Sequence, residues 1–158
     1  MASNEREGKV PGSNWCVLDE QAPELADYGK LRLDGKVAYL ATVKEDGRPR
    51  AHPVTPIIGE GHCFIFMEPT SPKASDLMNN GWYCMHCSMS NSSGSSGEFQ
   101  MSGDACLVED QDLRSLAEEL SIFKHSDRFL LFELNVTEAM SKSYRSGRPH
   151  RQWWPAQD

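Results

Sequence analysis

The sequence lacks long hydrophobic runs and has no excess of positive charge. Its uninterrupted apolar segments, such as residues 63–67 and 129–132, are short, whereas a membrane-spanning helix needs about 20 apolar residues. Lys and Arg number 16 against 23 Asp and Glu, so the net charge is −7. Nucleic acids and anionic membrane surfaces attract clustered cations. We therefore expect neither a nucleic acid nor a membrane as a partner.

The cysteines are odd in number, and no export signal accompanies them. Five are present, and the first ten residues contain no apolar core of the kind that a secretory signal needs. An odd set of cysteines without such a signal argues against a disulfide scaffold and for a reducing compartment. The sequence therefore predicts a cytoplasmic protein.

The length and the composition indicate one globular domain. The chain has 158 residues, of which 39% are hydrophobic and 25% are charged, and these values are typical of a single folded domain. We predict a polar N-terminal tail over 1–20, a folded domain over 21–150, and a Trp-rich C-terminal tail over 151–158.

The hydrophobic pattern predicts mostly strands. Turn signals around Gly47 and Gly59 separate the first three strands, and Pro53 and Pro56 mark the second as an edge, bulged or interrupted strand. A Ser-rich connector over 88–97 joins two later strands. The predicted strands are 37–43, 50–58, 62–67, 82–89, 98–109 and 129–136, and the predicted helices are 21–33, 72–80 and 112–123. About six antiparallel strands with short helices favour a small closed β-barrel.

The clearest candidate for chemistry is the loop Thr70-Ser71-Pro72-Lys73, which leads into a helix. Unpaired N–H groups at the helix start, a hydroxyl and a lysine suit a phosphate, although a plain capped helix with a solvated lysine has the same pattern. A second candidate is the segment 47–53, which brings two arginines and His52 to the start of an interrupted strand. That segment is also typical of a charged hairpin end.

The remaining motifs point to packing at least as much as to chemistry. Cys84 and Cys87 should face opposite sides of a strand and cannot share a metal ion, so we predict no metal site. Trp153 and Trp154 carry large apolar surfaces. They either cap the barrel or a subunit contact, or they form a wall for a flat aromatic ligand.

Three segments, VAYLATVKEDGRPRAHPV, HCFIFMEPTSPKASDLMNN and GEFQMSGDACLVE, resemble the pyridoxamine 5′-phosphate oxidase-like family in their order and spacing. The resemblance covers residues 20–140. It implies a mainly β, FMN-binding split β-barrel and a homodimer with FMN at its interface. It also implies a flavin-dependent oxidoreductase that acts on a small molecule.

The resemblance further implies which residues contact the cofactor. Glu98 would approach the flavin, and Trp153 would reach it from the partner chain, but no catalytic side chain can be named. The residues expected around the phosphate are His52, Pro53, Val54, Thr55, Phe66, Met67, Ser71 and Lys73.

The chain also departs from the pattern of true pyridoxamine phosphate oxidases. His52 and Pro72 stand where those enzymes commonly have arginines, and Ile57 stands where they have a substrate-binding lysine. We therefore expect a different substrate, which the sequence does not identify. The alternatives are a protein that binds the deazaflavin F420, a non-enzymatic ligand carrier, and a haem-binding protein. Haem needs a His or thiolate ligand, and the candidates are His52, His62 and His86.

Overall fold

The computed structural model describes residues 14–156, and this range contains four helices and eight strands. The helices are α1 (Trp15–Gln21), α2 (Pro23–Leu33), α3 (Pro72–Asn79) and α4 (Gln111–Leu120). The strands are β1 (Ala38–Val43), β2 (Pro49–Val54), β3 (Ile57–Gly59), β4 (His62–Met67), β5 (Trp82–Cys87), β6 (Glu98–Leu107), β7 (Leu130–Arg145) and β8 (Arg148–Trp154).

All eight strands belong to one antiparallel sheet. Its order is β2-β1-β5-β6-β7-β4-β3, and β8 pairs with the second half of β7. The two end strands, β2 and β3, do not pair with each other. The sheet therefore does not close, and the closed barrel predicted from the sequence is wrong. The prediction that the proline-containing strand lies at an edge is confirmed, because β2 ends the sheet and has only β1 as a neighbour.

The main core lies between the inner face of the sheet and helices α1 and α2. Trp15 of α1 packs near Phe99 of β6, with 6.4 Å between the ring centroids. Gly29 of α2 faces the same ring so closely that a Cβ atom would lie 2.5 Å from it. This close approach explains a glycine inside a helix, where it otherwise costs about 1 kcal/mol.

A smaller core lies under α4, at the end of the sheet that contains β3 and β4. Ala117 of α4 is fully buried there against Ile57, Phe64 and Leu131. The helix begins at its N-cap Asp110, whose carboxylate accepts a hydrogen bond from the Leu113 N–H at 2.9 Å.

In the part of the sheet formed by β1, β5, β6, β7 and β8, the outer face is the one that points away from α1, α2 and the main core. Residues paired across neighbouring strands share a face. The outer face includes exposed aromatic side chains on three strands, Tyr39, Trp82 and Trp153, whose exposed fractions are 51%, 41% and 45%. The register aligns one row of this face as Pro53, Tyr39, His86, Gln100, Met140 and Trp153.

Several predicted boundaries differ from the structure. Residues 15–20, which the sequence assigns to the polar tail, form most of α1 and bury Trp15 and Leu18; residues 1–13 lie outside the described range. The predicted strand 50–58 is divided into β2 and β3, and β8 brings the number of strands to eight. Residues 151–154 belong to β8. The helix predicted to reach Phe123 ends at Leu120, because the next residues turn back toward β7.

None of the four helices described between residues 14 and 156 has the length and hydropathy needed to cross a bilayer. The five cysteines all lie in the described range and are all free thiols.

Candidate functional site

A cluster of basic side chains lies where the edge strand β2 meets the start of α3. Arg50 and His52 alternate with exposed residues on β2, so both point to the side on which Val54 is buried. Lys73 lies in the first turn of α3. The positive charges of Lys73 and Arg50 both act on His52, so three nitrogen-bearing side chains converge at this edge of the sheet.

Arg50 is held in place by a buried carboxylate. Asp76, only 5% exposed, accepts a hydrogen bond from Arg50 Nε at 3.0 Å and another from Thr42 Oγ1 at 2.7 Å. These two bonds join α3 to β1 and β2. Because only Nε is used, the two terminal nitrogens of the guanidinium group have no hydrogen-bond partner among residues 14–156.

His52 has an unsatisfied polar atom at the centre of this cluster. Its Nε2 is buried and has no hydrogen-bond partner in the described part of the chain. Burial lowers the pKa of His52, the charges of Lys73 and Arg50 lower it further, and Asp76 acts in the opposite direction. The ring is therefore neutral at pH 7 and can donate or accept one hydrogen bond at Nε2.

The start of α3 adds one backbone donor to the cluster, the N–H of Lys73. Pro72 has no N–H, and the N–H groups of Ala74 and Ser75 donate to the Ser71 carbonyl at 3.1 and 3.4 Å. The first N–H groups of a helix have no intrahelical acceptors and favour an anion. Ser71 occupies the N-cap position, but its hydroxyl donates to the Glu68 carbonyl at 2.8 Å and does not cap the helix. The helix α3 therefore begins without a side-chain cap from Ser71.

A cleft of about 450 Å³ lies beside the cluster. Arg50 and Asp76 form part of its wall, so the network that holds Arg50 also borders an open space. The other residues that line it are Lys44, Glu45, Asp46, Ser75 and Asn79.

The structure places the other predicted contacts on β2 and β4 in different surroundings. Val54 is buried and Pro53 is exposed, while Thr55 follows the end of β2. Met67 is in the main core. The Phe66 ring lies on the α4 side, where it stacks on His125 with 4.1 Å between centroids. Only the backbone of Phe66 is therefore left for a ligand near Lys73.

Glu98 and Trp153 lie far from the basic cluster of their own chain. Glu98 pairs with His86 on the outer face, with 3.3 Å between Oε2 and Nε2. Trp153 is on β8, five strand intervals from β2. At ~4.8 Å per interval that is about 24 Å along the sheet.

Asp76 and Thr42 are functional candidates that the site prediction did not include, whereas Arg50 belongs to the candidate segment 47–53. The sequence did contain a signal for them. Thr42 falls on the inward side of β1 in line with Ala38 and Leu40, and a hydroxyl there needs a buried partner. The distances that identify Asp76 as this partner come only from the structure.

Cys84 is half-buried and Cys87 is buried, on opposite faces of β5, as the strand pattern predicted. Among residues 14–156, no group of three or more His, Cys, Asp or Glu side chains is arranged to hold a metal ion.

Comparison with known proteins finds similarity in fold and none in sequence families. No family model and no curated protein match the sequence. A haem-binding protein from Mycobacterium smegmatis matches with a TM-score of 0.62 and 18% identity. The alignment covers 75% of this chain and 53% of that protein, so the chain spans about half of its length.

Two further solved structures match over most of their lengths. A NimC/NimA family protein from Clostridium acetobutylicum has a TM-score of 0.60 and 16% identity, with 88% of this chain and 94% of that chain covered. General Stress Protein 26 from Bacillus anthracis has a TM-score of 0.57 and 14% identity, with 75% and 92% covered. At these identities the likeness shows the fold, and this chain has the split-barrel fold.

Proposed function

We propose that the protein is a flavin-binding oxidoreductase of the pyridoxamine 5′-phosphate oxidase-like type, with FMN as its cofactor. The observation that carries the proposal is the convergence of Arg50, His52 and Lys73 at the start of α3. Charge-assisted hydrogen bonds from such groups suit a terminal phosphate.

The residues present fit a phosphate. Lys73 supplies a positive charge and Arg50 supplies two terminal nitrogens that no described residue uses. The buried Nε2 of His52 needs a partner, and a phosphate oxygen provides an acceptor. FMN supplies hydride and electron transfer when it is bound, and the protein supplies binding and orientation. The substrate remains an unspecified small molecule.

The proposed assembly is a homodimer that contacts through the outer face. Symmetric pairs are the commonest oligomers, and exposed aromatic clusters are typical of interfaces. The separation between β2 and β8, about 24 Å along the sheet, exceeds the length of one FMN molecule. A flavin held by Lys73 therefore meets Trp153 only if that tryptophan comes from the partner. Glu98 is on β6, three strand intervals or about 14 Å along the sheet from β2, so it lies nearer to the basic cluster than Trp153 does.

The first test compares FMN with riboflavin, which differs only by lacking the phosphate. We expect Lys73→Ala to raise the Kd for FMN about tenfold or more and to change the Kd for riboflavin less than twofold. Flavin fluorescence quenching and the absorption spectrum measure both constants. Lys30→Ala, which removes an exposed lysine on α2, is the matched control. If the Lys73→Ala variant loses the same affinity for FMN and for riboflavin, Lys73 does not contact the phosphate.

The same titration with F420 tests whether the cofactor is a deazaflavin. Binding of F420 at concentrations where FMN does not bind would replace FMN by F420 in this proposal, while the basic cluster would keep its role.

A second candidate function is haem binding. It is supported by the neutral His52 with its unpartnered Nε2 and by the similarity in fold to the haem-binding protein from Mycobacterium smegmatis. Haem ligation by His52 predicts a Soret band that disappears in His52→Ala and persists in His86→Ala. Tight FMN binding with no Soret shift on haem addition would exclude this candidate.

A further inference from the structure

A separate concave site lies on the outer face, where β6, β7 and β8 meet. Its volume is about 230 Å³. The register aligns Gln100, Met140 and Trp153 across the three strands, and it pairs Ser102 with Glu138 in the next row. Pro155, which follows β8, completes this part of the lining. The pocket thus has a floor of strand residues and an aromatic side wall.

The polar groups of this pocket are not used elsewhere in the described chain. Within residues 14–156, the side chains of Gln100, Ser102, Glu138 and Trp153 make no hydrogen bond or ion pair. Small-molecule sites typically combine apolar walls with a few convergent polar groups. An amide, a hydroxyl, a carboxylate and an indole N–H converge here around Met140.

Trp153 is oriented by the alternation of β8. Its neighbour Trp154 is buried and donates a hydrogen bond from Nε1 to Gln21 at 2.9 Å. Adjacent residues of a strand point to opposite faces, so anchoring Trp154 in the core holds Trp153 on the outer face. An exposed indole in a fixed position offers a flat surface for stacking and a negative ring face for cations.

Among residues 14–156, Glu138 is the one charged side chain that lines the pocket. The nearest cations on this face are Lys142 of β7 and Arg151 of β8, which lie opposite each other in the strand register. They follow the row of Met140 and Trp153 on the side away from Glu138, and neither lines the pocket. Lys142 lies over the Tyr144 ring, 5.4 Å from its centroid. The charge within the pocket is therefore negative.

We propose that this pocket binds a small planar aromatic molecule that carries a positive charge. The aromatic plane packs against Trp153 and Met140, and the cationic group binds the Glu138 carboxylate, with Gln100 and Ser102 as further hydrogen-bond partners. The pocket is lined by residues of one chain and does not involve the basic cluster at β2. It shares Trp153 with the proposed dimer contact and with the flavin of the partner chain, so the test is made without flavin.

The test uses three probes of nearly equal shape and different charge: benzamidine, which is cationic, benzamide, which is neutral, and benzoate, which is anionic. Each is titrated into the full-length protein without added flavin, and binding is followed by tryptophan fluorescence and calorimetry. We expect benzamidine to bind about tenfold more tightly than benzamide and benzoate to bind most weakly.

Two variants locate the site. Glu138→Gln should abolish the preference for benzamidine over benzamide, and Trp153→Leu should weaken the binding of both probes. The matched controls are Glu119→Gln and Phe123→Leu, which change exposed residues at α4 and just beyond it, and both should behave as wild type. Circular dichroism checks that each variant is folded.

Three results would overturn the proposal. They are equal affinities for benzamidine and benzamide in the wild type, a preference that persists in Glu138→Gln, and no saturable binding of benzamidine. Since no flavin is present, each of these results leaves the outcome of the FMN titrations independent.

Discussion

At the scale of single residues, the main feature is a buried negative charge placed among positive ones. Asp76 is nearly inaccessible and its carboxylate accepts from both Thr42 and Arg50. Removing one partner of a buried pair leaves the others unsatisfied, which costs more than the net strength of the bonds. Asp76 thereby stabilises the fold and fixes the direction of Arg50.

We expect Asp76→Ala to lower the free energy of unfolding by about 2–3 kcal/mol, measured by urea denaturation. The matched control is Asp46→Ala. Asp46 pairs with Arg48 at 2.7 Å, but both side chains are exposed, and an exposed ion pair contributes only about 0–1 kcal/mol. If the two variants lose the same stability, the network around Asp76 does not stabilise the fold.

A second prediction at this scale concerns pH. The pKa of His52 lies below the ordinary value of 6.5 because of burial and the charges of Lys73 and Arg50. Burial, with the charge of Arg114, also lowers the pKa of His125. The unfolded chain therefore takes up protons at these histidines before the folded protein does, and stability falls as the pH drops below about 6.5.

We expect the free energy of unfolding to be larger at pH 7.5 than at pH 5.5, and we expect the double variant His52→Asn/His125→Asn to show a smaller difference. Titration by NMR adds an independent reading, since Lys73→Ala should raise the pKa of His52 by removing a like charge. If the double variant loses as much stability between pH 7.5 and pH 5.5 as the wild type does, His52 and His125 are not the groups that cause the pH dependence.

At the scale of elements, the bulge between β6 and β7 depends on a glycine of β6. Ser102 pairs with Glu138 and Gly103 with Val136, so Thr137 of β7 is the extra residue. The register with β7 shifts between Ser102 and Gly103, and a Cβ atom at Gly103 would lie 1.9 Å from the Asn135 carbonyl oxygen. That oxygen belongs to the backbone of a central strand and cannot move without breaking the ladder. The bulge therefore depends on the absence of a side chain.

Gly103→Ala should lower the free energy of unfolding by about 3 kcal/mol or more. Gly59→Ala is the matched comparison. There the new Cβ would lie 2.9 Å from Leu120 Cδ2, which is the end of a flexible side chain, and we expect a loss of about 1 kcal/mol. Thermal or urea unfolding measures both variants. Similar losses would show that the carbonyl of Asn135 can adjust.

The elements that the sequence predicts well are those whose signals are local. The predicted strand 37–43 and the predicted helix 72–80 are both present, as β1 and α3, with boundaries that differ by one residue. The helix α1 was missed because its two core residues, Trp15 and Leu18, are too few to give a periodic pattern. Their burial depends on distant partners such as Phe99.

The candidate site was predictable in part. Lys73 and His52 could be selected from their segments, but no local pattern shows that α3 packs against β1 and brings Asp76 to Thr42. The opening of the barrel was likewise not predictable, because closure depends on whether the edge strand β2 pairs with β3, and three-dimensional strand order is not a local property.

At the scale of the whole molecule, the outer face is the surface on which the proposed homodimer depends. Tyr39 is half-exposed and is the second residue, after Pro53, of the aligned row on that face. A charge buried in an apolar contact is strongly unfavourable, so we expect Tyr39→Glu to raise the dimer dissociation constant at least tenfold in light-scattering or sedimentation measurements.

Leu31→Glu is the matched control, because Leu31 is 63% exposed but lies on α2, away from the outer face. It should leave the oligomeric state unchanged. A monomeric wild type, or a Tyr39→Glu variant that dimerises as well as Leu31→Glu, would show that the outer face is not the interface.

The length of β7 has a consequence for protein synthesis. This strand of 16 residues pairs with β4, β6 and β8, and the chain leaves the ribosome N-terminus first. Until β7 emerges, β4 has only the three-residue β3 beside it, and β6 has an unpaired edge. Unpaired strand edges promote aggregation. The nascent polypeptide therefore completes its sheet only after β7 and β8 have been synthesised, and until then chaperones can act on the open strand edges.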